Sequence, residues 1–237
     1  MKLLFFAALF LLSFALSAQA PAPVPLKGEP HHHLALENEF VRAFYVEVAP
    51  HSATLLHQHD ADYVYSVLGP GDFVNAVAGK PEVHLTVEDG TTRFSRGGFA
   101  HVARTDAGIP FRNVTVELLR PQGALRNLCQ KVTDGPVNNC PDSPSPSMKP
   151  LFETDEIVVT SGALDAQSKH TEEAPHTAAL ILALENSNLE VNVGGDVKAQ
   201  LHSGQVFWLP AGRKHTISSS GGACRFVLIS FKDAAPR

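Results

Sequence analysis

The 237-residue sequence contains little cysteine and no concentration of positive charge, and each scarcity limits what the protein can be. It has three cysteines and no Cys-x-x-Cys pair, so a zinc site built from thiolates is not expected. Lys and Arg number 19 against 24 Asp and Glu, without any basic cluster, which argues against nucleic acid and anionic membranes as partners. The Gly-x-Ser-x-Gly, P-loop and dinucleotide fingerprints are also missing, which removes three common enzyme signatures.

Long apolar runs are scarce as well, and the one that stands out lies at the N-terminus. Lys2 precedes an apolar run of about fourteen residues from Leu3 to Leu16, and Ala18-Gln19-Ala20 follows it. A run of this length is shorter than the roughly 20 residues that span a bilayer. We therefore predict a signal peptide over residues 1–20 and a secreted or periplasmic protein that has no membrane anchor after cleavage.

The cysteines fit an exported protein. Because exported proteins fold in an oxidising environment, we predict a disulfide between the neighbouring Cys129 and Cys140. Cys224 precedes the apolar run from Phe226 to Phe231, and we predict that it is a buried, unreactive thiol.

Glycine and proline, 17 residues each, interrupt the chain too often for long helices and indicate short strands with tight turns. The composition of residues 126–150, rich in Pro, Ser, Asn and Asp, predicts a linker that the disulfide bridges. Segments with alternating apolar and polar residues lie on both sides of it. We predict an all-β protein with an N-terminal domain over residues 31–125 and a C-terminal domain over residues 151–232.

The two segments repeat each other in register. Gly90 leads to Arg96-Gly97-Gly98-Phe99-Ala100-His101, and Gly204 leads to Pro210-Ala211-Gly212-Arg213-Lys214-His215. In both segments an aromatic residue and then a His follow the first Gly at the same spacing. Such agreement at several positions indicates two copies of one β unit.

A His-x-His pair in the first copy is the strongest indication of chemistry. On a strand, His57 and His59 project from the same face, about 7 Å apart, so their imidazoles can converge on one point. His101 follows the glycine turn of the same copy. Three neutral imidazoles on neighbouring strands suit a divalent first-row ion and leave coordination positions for water or substrate.

The spacing of the second copy resembles a known family signature. A Gly, five residues, Pro, one residue, Gly, two residues and His form the second signature motif of the cupins, which Gly204 to His215 matches. Gly90 to His101 matches except that Arg96 replaces the usual Pro. The resemblance covers residues 36–120 and 151–232 and identifies the chain as a secreted bicupin.

The first cupin motif is matched only in part. Its His-x-His is present as His57 and His59, but Asp62 comes one residue too early to be the usual Glu, and Tyr63 and Val64 occupy that place. The opening Gly of the motif is also replaced.

The resemblance implies two tandem jelly-roll β-barrels and a metal bound in the N-terminal barrel by His57, His59 and His101. For the missing carboxylate, three explanations stay open: a three-His site, recruitment of Asp62 or water, or loss of the metal. We favour the three-His site, with Fe, Mn, Zn, Ni or Cu rather than Mg or Ca. Tyr63 has the alternation to point inward with the histidines, and we name it as a candidate catalytic residue.

Other histidines receive structural interpretations. In the second copy, alignment of the apolar strands puts Glu173 and Pro175 at the two ligand positions, so His215 is expected to be a hydrogen-bonded residue at the barrel mouth. His170, Glu172 and His176 could still reach His215 from a loop. The run His31-His32-His33 is expected to form part of an exposed edge.

The sequence is consistent with two functions. The first is a metal-dependent enzyme acting on a small molecule, either a dioxygenase-like oxidoreductase or a lyase or isomerase. The second is a non-catalytic module that binds a small ligand such as a carbohydrate, or serves in storage or structure. Fold membership alone does not choose between them.

Overall fold

A computed structural model describes residues 22–137, Cys140, 148–173 and 175–232. The predicted signal peptide, residues 1–20, lies outside these ranges, as do residues 141–147 of the Pro- and Ser-rich stretch. The described chain consists of β-strands with one short 3-10 helix at Leu26–Gly28, so the all-β prediction is confirmed. No helix within the described ranges is both long and apolar enough to cross a membrane.

The N-terminal half forms two sheets of a jelly roll. Its strands are β1 (Val24–Pro25), β2 (His32–Glu37), β3 (Val41–Val48), β4 (Ser52–Ala53), β5 (His57–His59), β6 (Tyr63–Val67), β7 (Gly71–Val77), β8 (Val83–Val87), β9 (Thr92–Ser95), β10 (Phe99–Thr105) and β11 (Phe111–Leu118). The first sheet has the order β1-β5-β10-β7-β8, with β4 paired to β10, and the second has the order β2-β3-β11-β6-β9. Apart from the consecutive pairs β2-β3 and β7-β8, neighbours in each sheet are not consecutive along the chain, as in a jelly roll.

The C-terminal half repeats this plan. Its strands, with the preceding β12, are β12 (Arg126–Asn127), β13 (Met148–Glu153), β14 (Ile157–Leu164), β15 (Lys169–Glu172), β16 (Ala179–Ala183), β17 (Leu189–Val193), β18 (Val197–Leu201), β19 (Val206–Leu209), β20 (His215–Ser219) and β21 (Cys224–Phe231). One sheet has the order β12-β13-β14-β21-β16-β19 and the other β15-β20-β17-β18. Two tandem jelly rolls are thus confirmed.

One sheet of each half packs against the other half, and these are called the inner sheets. In β3, Val41 and Ala43 face the C-terminal half, whereas Phe44 and Val46 face the N-terminal interior, because successive strand residues point to opposite faces. The largest apolar cluster includes Val64, Val114 and Val116 from one inner sheet and Val159, Leu180 and Ile229 from the other. The inner sheets are therefore buried on both faces.

The interiors of the two jelly rolls differ in polarity. The C-terminal interior is filled by apolar side chains that include Ile181, Leu189, Val191, Ile217 and Phe226, all fully buried. Between the N-terminal sheets the buried side chains include histidines, Asn113 and Thr115. Buried polar groups lower stability unless they are hydrogen-bonded, so a polar interior of this kind indicates a functional site in the N-terminal jelly roll.

The cysteines lie as the sequence indicates. Cys129 and Cys140 form a disulfide, and Cys224 is a free, buried thiol on β21. The start of the predicted linker is held by Asn127, whose side-chain oxygen accepts hydrogen bonds from the Val132 and Thr133 amides at 2.6 and 2.8 Å. A disulfide is characteristic of proteins in oxidising compartments, which is consistent with secretion.

Gly162 provides a test of the C-terminal packing. It lies opposite Phe226 in the pairing of β14 with β21, and a Cβ atom at Gly162 would lie 2.2 Å from the Phe226 ring. Gly162→Ala is therefore expected to lower the free energy of unfolding by roughly 1–3 kcal/mol, as overpacking does. Chemical denaturation measures the change, with Gly221→Ala as the control because a Cβ there meets no atom within 4 Å. Equal stability of both variants would contradict this packing.

Candidate metal centre

Strands β5 and β10 bring the three predicted histidines side by side. His57 and His59 occupy alternate positions of β5, and His101 on β10 lies directly opposite His57 in the antiparallel pairing. The ring centroids of His57 and His101 are 4.4 Å apart, and those of His59 and His101 are 5.0 Å apart. The three side chains predicted as ligands therefore form one cluster between the N-terminal sheets.

Hydrogen bonds fix the tautomers of two of these rings. His57 Nδ1 donates to the Leu55 carbonyl at 2.9 Å, and His101 Nδ1 donates to Asn75 Oδ1 at 2.6 Å. A neutral imidazole with a proton on Nδ1 carries its lone pair on Nε2. His57 Nε2 is buried and has no hydrogen-bond partner among the described residues, so its lone pair is left unsatisfied. A metal ion would satisfy it.

The spacing of His59 and His101 suits a shared ion. Their Nε2 atoms lie 3.1 Å apart. Two imidazole nitrogens at about 2.1 Å from one ion are about 3.0 Å apart at a right angle and about 3.4 Å apart at a tetrahedral angle. The same distance suits a hydrogen bond from His59 to His101 in the ion-free protein.

The histidines are held neutral. Burial lowers the pKa of His57 to about 4, and it lowers the pKa of His101 to about 3 and that of His59 to about 2, with repulsion from neighbouring imidazoles adding to the effect. Because metal ions bind the unprotonated ring, all three are in the ligating form at neutral pH. Neutral imidazoles suit transition metals, whereas Mg²⁺ and Ca²⁺ prefer oxygen ligands. The residues present thus fit a divalent transition metal.

A fourth imidazole, which the sequence analysis missed, completes the cluster. His32 begins β2 in the opposite sheet and is buried, and one ring nitrogen from each of His32, His57 and His59 lies within 4.8 Å of the others. The expectation of an exposed edge is thus wrong for His32 and holds for His33, which is exposed. A strand that alternates between cavity and solvent buries one of two consecutive histidines.

A buried carboxylate, Glu29, accompanies His32. It is 2% exposed, and its Oε2 accepts a hydrogen bond from His32 Nδ1 at 2.6 Å. The hydrogen bonds from His32 and His31 help to lower the pKa of Glu29 to about 2 against the opposing effect of burial. The only sequence sign of this pair was an acidic residue three positions before a His, which is too common to identify a site.

Asp62, the carboxylate considered as a replacement ligand, is engaged elsewhere. Its Oδ2 accepts from Arg96 at 2.7 Å and its Oδ1 from the Gly97 amide at 3.0 Å. Arg96 is the residue that replaces the usual proline of the repeat motif. The two residues that depart from the cupin motifs, Asp62 and Arg96, therefore form an ion pair with each other. Recruitment of Asp62 as a metal ligand is not supported.

Tyr63, the candidate catalytic residue, stacks on His59 with ring centroids 4.3 Å apart and planes 22° apart. Burial raises the pKa of its phenol to about 12, so the hydroxyl stays protonated at neutral pH. A group of that pKa is a poor general base but can donate a hydrogen bond. Tyr63 therefore orients the His59 ring and contributes a wall of the cavity.

The cavity beside the histidines is small and carries no formal charge besides any bound ion. It has a volume of about 80 Å³, well below the roughly 300–1,000 Å³ of sites for drug-sized ligands. Its polar walls include Asn75, Asn113, Thr54 and Thr115, and the stacked Phe73 and Phe111 form part of the apolar wall. None of the described residues that line it is Lys, Arg, Asp or Glu.

The C-terminal half does not repeat the histidine cluster. The pairing of β15 with β20 places Glu172, rather than Glu173, opposite His215, so the alignment of the second copy was off by one residue. His215 Nε2 lies 3.8 Å from Glu172 Oε2, and His170 Nε2 lies 3.3 Å from Glu172 Oε1. His215 is buried above an interior filled with apolar side chains, which leaves little space for a ligand.

Comparison with solved structures supports the fold. AerE from Microcystis aeruginosa matches with a TM-score of 0.63 and 13% identity, over 90% of this chain and 98% of AerE. A Cupin 2 conserved barrel domain protein from Leptotrichia buccalis matches with a TM-score of 0.50 and 14% identity, over 83% of this chain and 86% of that protein. The chain has the cupin fold. At these identities the likeness concerns the fold alone.

Other cupin-fold matches differ in the functions that their names state. A salicylate 1,2-dioxygenase from Pseudaminobacter salicylatoxidans has a TM-score of 0.54 and 12% identity, over 81% of this chain and 71% of the enzyme. A vicilin from tomato is also similar. No protein-family model and no curated protein matches the chain by sequence. Because the cupin fold serves more than one purpose, function has to be argued from the site.

Proposed function

We propose that this protein is a metal-dependent enzyme that acts on a small molecule in its N-terminal jelly roll. One divalent transition metal, Fe, Mn, Zn, Ni or Cu, would be held by His57, His59 and His101. The favoured reactions are a dioxygenase-like oxidation or a lyase or isomerase reaction. The similarity of a salicylate dioxygenase fold is consistent with this assignment but does not carry it.

The observation that carries the proposal is the unsatisfied Nε2 of His57 beside two further imidazoles. An orphaned, fully buried ring nitrogen lowers stability by roughly 1–3 kcal/mol unless something binds it. His59 and His101 place their own Nε2 atoms at a spacing suited to the same ion. What distinguishes the N-terminal interior is that several imidazoles converge there, whereas the C-terminal half buries the single His215 against an interior filled with apolar side chains.

The chain's own residues orient the ligands and shape the site. Leu55 and Asn75 hold His57 and His101 as the tautomers that direct Nε2 inward, and Tyr63 holds the His59 ring by stacking. The bound ion would supply a Lewis acid and, if it is iron, redox chemistry. The protonated Tyr63 hydroxyl can donate a hydrogen bond but cannot remove a proton at neutral pH.

The cavity supports a particular substrate class. Because none of the described residues that line it is Lys or Arg, a bound ion would be the positive charge that attracts a substrate. A volume of about 80 Å³ admits a compact molecule with an oxygen donor and a short apolar body. We therefore propose a small carboxylate, hydroxy acid or enol as substrate. A carbohydrate ligand, the alternative raised by the sequence, needs more space than this cavity provides.

The proposed setting is extracellular or periplasmic. The predicted signal peptide and the disulfide support secretion, and the net charge of −5 without a basic cluster gives no reason to expect nucleic acid or membrane partners. A small molecule is thus the proposed partner.

Metal-dependent turnover tests the function. The chain is stripped with a chelator and reloaded in turn with Fe, Mn, Zn, Ni and Cu. It is then incubated in air with small carboxylic acids, hydroxy acids and enols. We expect oxygen uptake or an NMR-detected product with at least one pair of ion and substrate and none with the stripped protein, because the ion supplies the Lewis acid. Absence of turnover, together with a ligand-induced rise in melting temperature in the stripped protein, would favour the non-catalytic module.

A further inference from the structure

The Glu29 carboxylate accepts more hydrogen bonds than its place in a short turn requires. Oε2 accepts from the His31 amide at 2.8 Å and from His32 Nδ1 at 2.6 Å, while Oε1 accepts from His31 Nδ1 at 2.9 Å and from the Leu55 amide at 3.1 Å. Its side chain is fully buried. Four donors around a buried carboxylate keep it charged and offset the cost of burying that charge.

These contacts join Glu29 to two histidines of the cluster. It contacts His32 directly. It reaches His57 through one residue, because Glu29 binds the Leu55 amide and the Leu55 carbonyl binds His57 Nδ1. The preceding strand also runs beside the cluster, since Val24 in β1 pairs with His57 in parallel. The N-terminal segment from Val24 to His32 is therefore built against the histidine cluster.

The hydrogen bond from His32 to Glu29 has a chemical consequence for His32. A carboxylate can only accept, so His32 Nδ1 must carry the proton, and a neutral His32 has its lone pair on Nε2. Histidine ligands in metal sites commonly have this arrangement, in which a carboxylate fixes the ring and increases its basicity. The same carboxylate would offset part of the charge of an ion bound by neutral imidazoles.

We propose that Glu29 is a positioning residue of the metal centre, which holds His32 as a fourth ligand and supplies from the N-terminal segment the negative charge that the first cupin motif lacks. This inference rests on the proposed metal site. In this arrangement the Glu29 carboxylate binds the ligand His32 and does not bind the ion itself. Glu29 belongs to a part of the chain that lies outside the first cupin motif.

Glu29→Gln tests the proposal, because glutamine keeps the size and a carbonyl acceptor but loses the charge. We expect the dissociation constant for Zn²⁺, measured by competition with a chelator, to rise about 10–100-fold, as for other partners of metal-binding histidines. The matched control is Glu37→Gln at the end of β2, since Glu37 is a surface carboxylate paired with Lys27. Its affinity should equal that of the unchanged protein. An unchanged affinity in Glu29→Gln would overturn the inference.

A double substitution tests whether Glu29 acts through His32. In a His32→Ala background, Glu29→Gln should raise the Zn²⁺ dissociation constant by about 3-fold rather than 10–100-fold, because only the effect of the Glu29 charge remains once His32 is absent. A change as large as in the unaltered background would assign Glu29 a general structural role and would overturn the proposal.

A third measurement uses the unaltered protein and does not depend on the folding of a variant. Nitrogen-15 NMR of the ion-free protein should show His32 as the Nδ1-protonated tautomer, and a proton on Nε2 instead would overturn the proposal. If the metal site itself is absent, the result is different, because the unaltered protein then binds no Zn²⁺ at all. Normal Zn²⁺ binding that Glu29→Gln leaves unchanged would refute the inference alone.

Discussion

Replacement of His57 by alanine is expected to abolish metal binding, which we expect in the unaltered protein at about one ion per chain. His57 is fully buried, and its Nε2 has no hydrogen-bond partner among the described residues, so the substitution removes a ring nitrogen that is free to bind an ion. Structural zinc sites bind with roughly 10–16 kcal/mol, which is about 2.5–4 kcal/mol for each of four ligands and corresponds to a loss of roughly 60–700-fold in affinity.

The measurement is elemental analysis and chelator competition on the purified variants. His57→Gln, which fills more of the space, separates loss of the ligand from loss of packing. His84→Ala is the matched control, because His84 lies on β8 of the same jelly roll but is exposed and paired with Asp72. Full retention of the ion by His57→Ala and His57→Gln would contradict the assignment of His57 as a ligand.

Acid is expected to destabilise the ion-free protein by about 3 kcal/mol between pH 6.5 and pH 4 through His57 alone. The folded state lowers the pKa of His57 from 6.5 to about 4, so between these values the unfolded chain binds more protons than the folded chain. The contribution is therefore fully present above pH 6.5 and is lost as the pH falls. His59 and His101 shift in the same direction.

Glu29 acts in a lower window. Its folded pKa of about 2 lies below the ordinary value of 4.5, so its contribution is present above pH 4.5 and is lost as the pH falls toward 2. Chemical denaturation at pH 7, 6 and 5 measures the effect of the histidines apart from that of Glu29, since these values lie above the window in which Glu29 titrates. His57→Gln should show a shallower loss over this range. A free energy of unfolding that is constant from pH 7 to pH 5 would contradict the burial of neutral histidines.

Much of the fold could be predicted because the signals are local or periodic. Glycine turns, alternating strands and the repeated spacing after Gly90 and Gly204 predicted two copies of one β unit, and the resemblance to the cupin motifs implied that each copy is a jelly roll. Two cysteines close in sequence predicted the disulfide. His57, His59 and His101 could be found because alternation on β5 fixes the direction of the first two side chains and a repeated turn places the third.

The other features of the site could not be predicted, because they depend on tertiary contacts that the sequence does not indicate. His32 and Glu29 reach the cluster because β1 and β2 lie in different sheets that face one cavity. A run of three histidines near the N-terminus does not reveal which ring is buried. The position of Glu172 opposite His215 is set by strand pairing, and an error of one residue in the alignment moves the side chain to the other face. The departures at Asp62 and Arg96 could be interpreted only once their ion pair was seen.

Anomalous X-ray diffraction from crystals loaded with Zn²⁺ tests the central claim most directly. We expect one strong peak between the N-terminal sheets, within about 2.0–2.2 Å of a ring nitrogen from each of His57, His59 and His101. An ion bound elsewhere, for example at Glu172 and His215, or no peak between these sheets at saturating Zn²⁺, would contradict it.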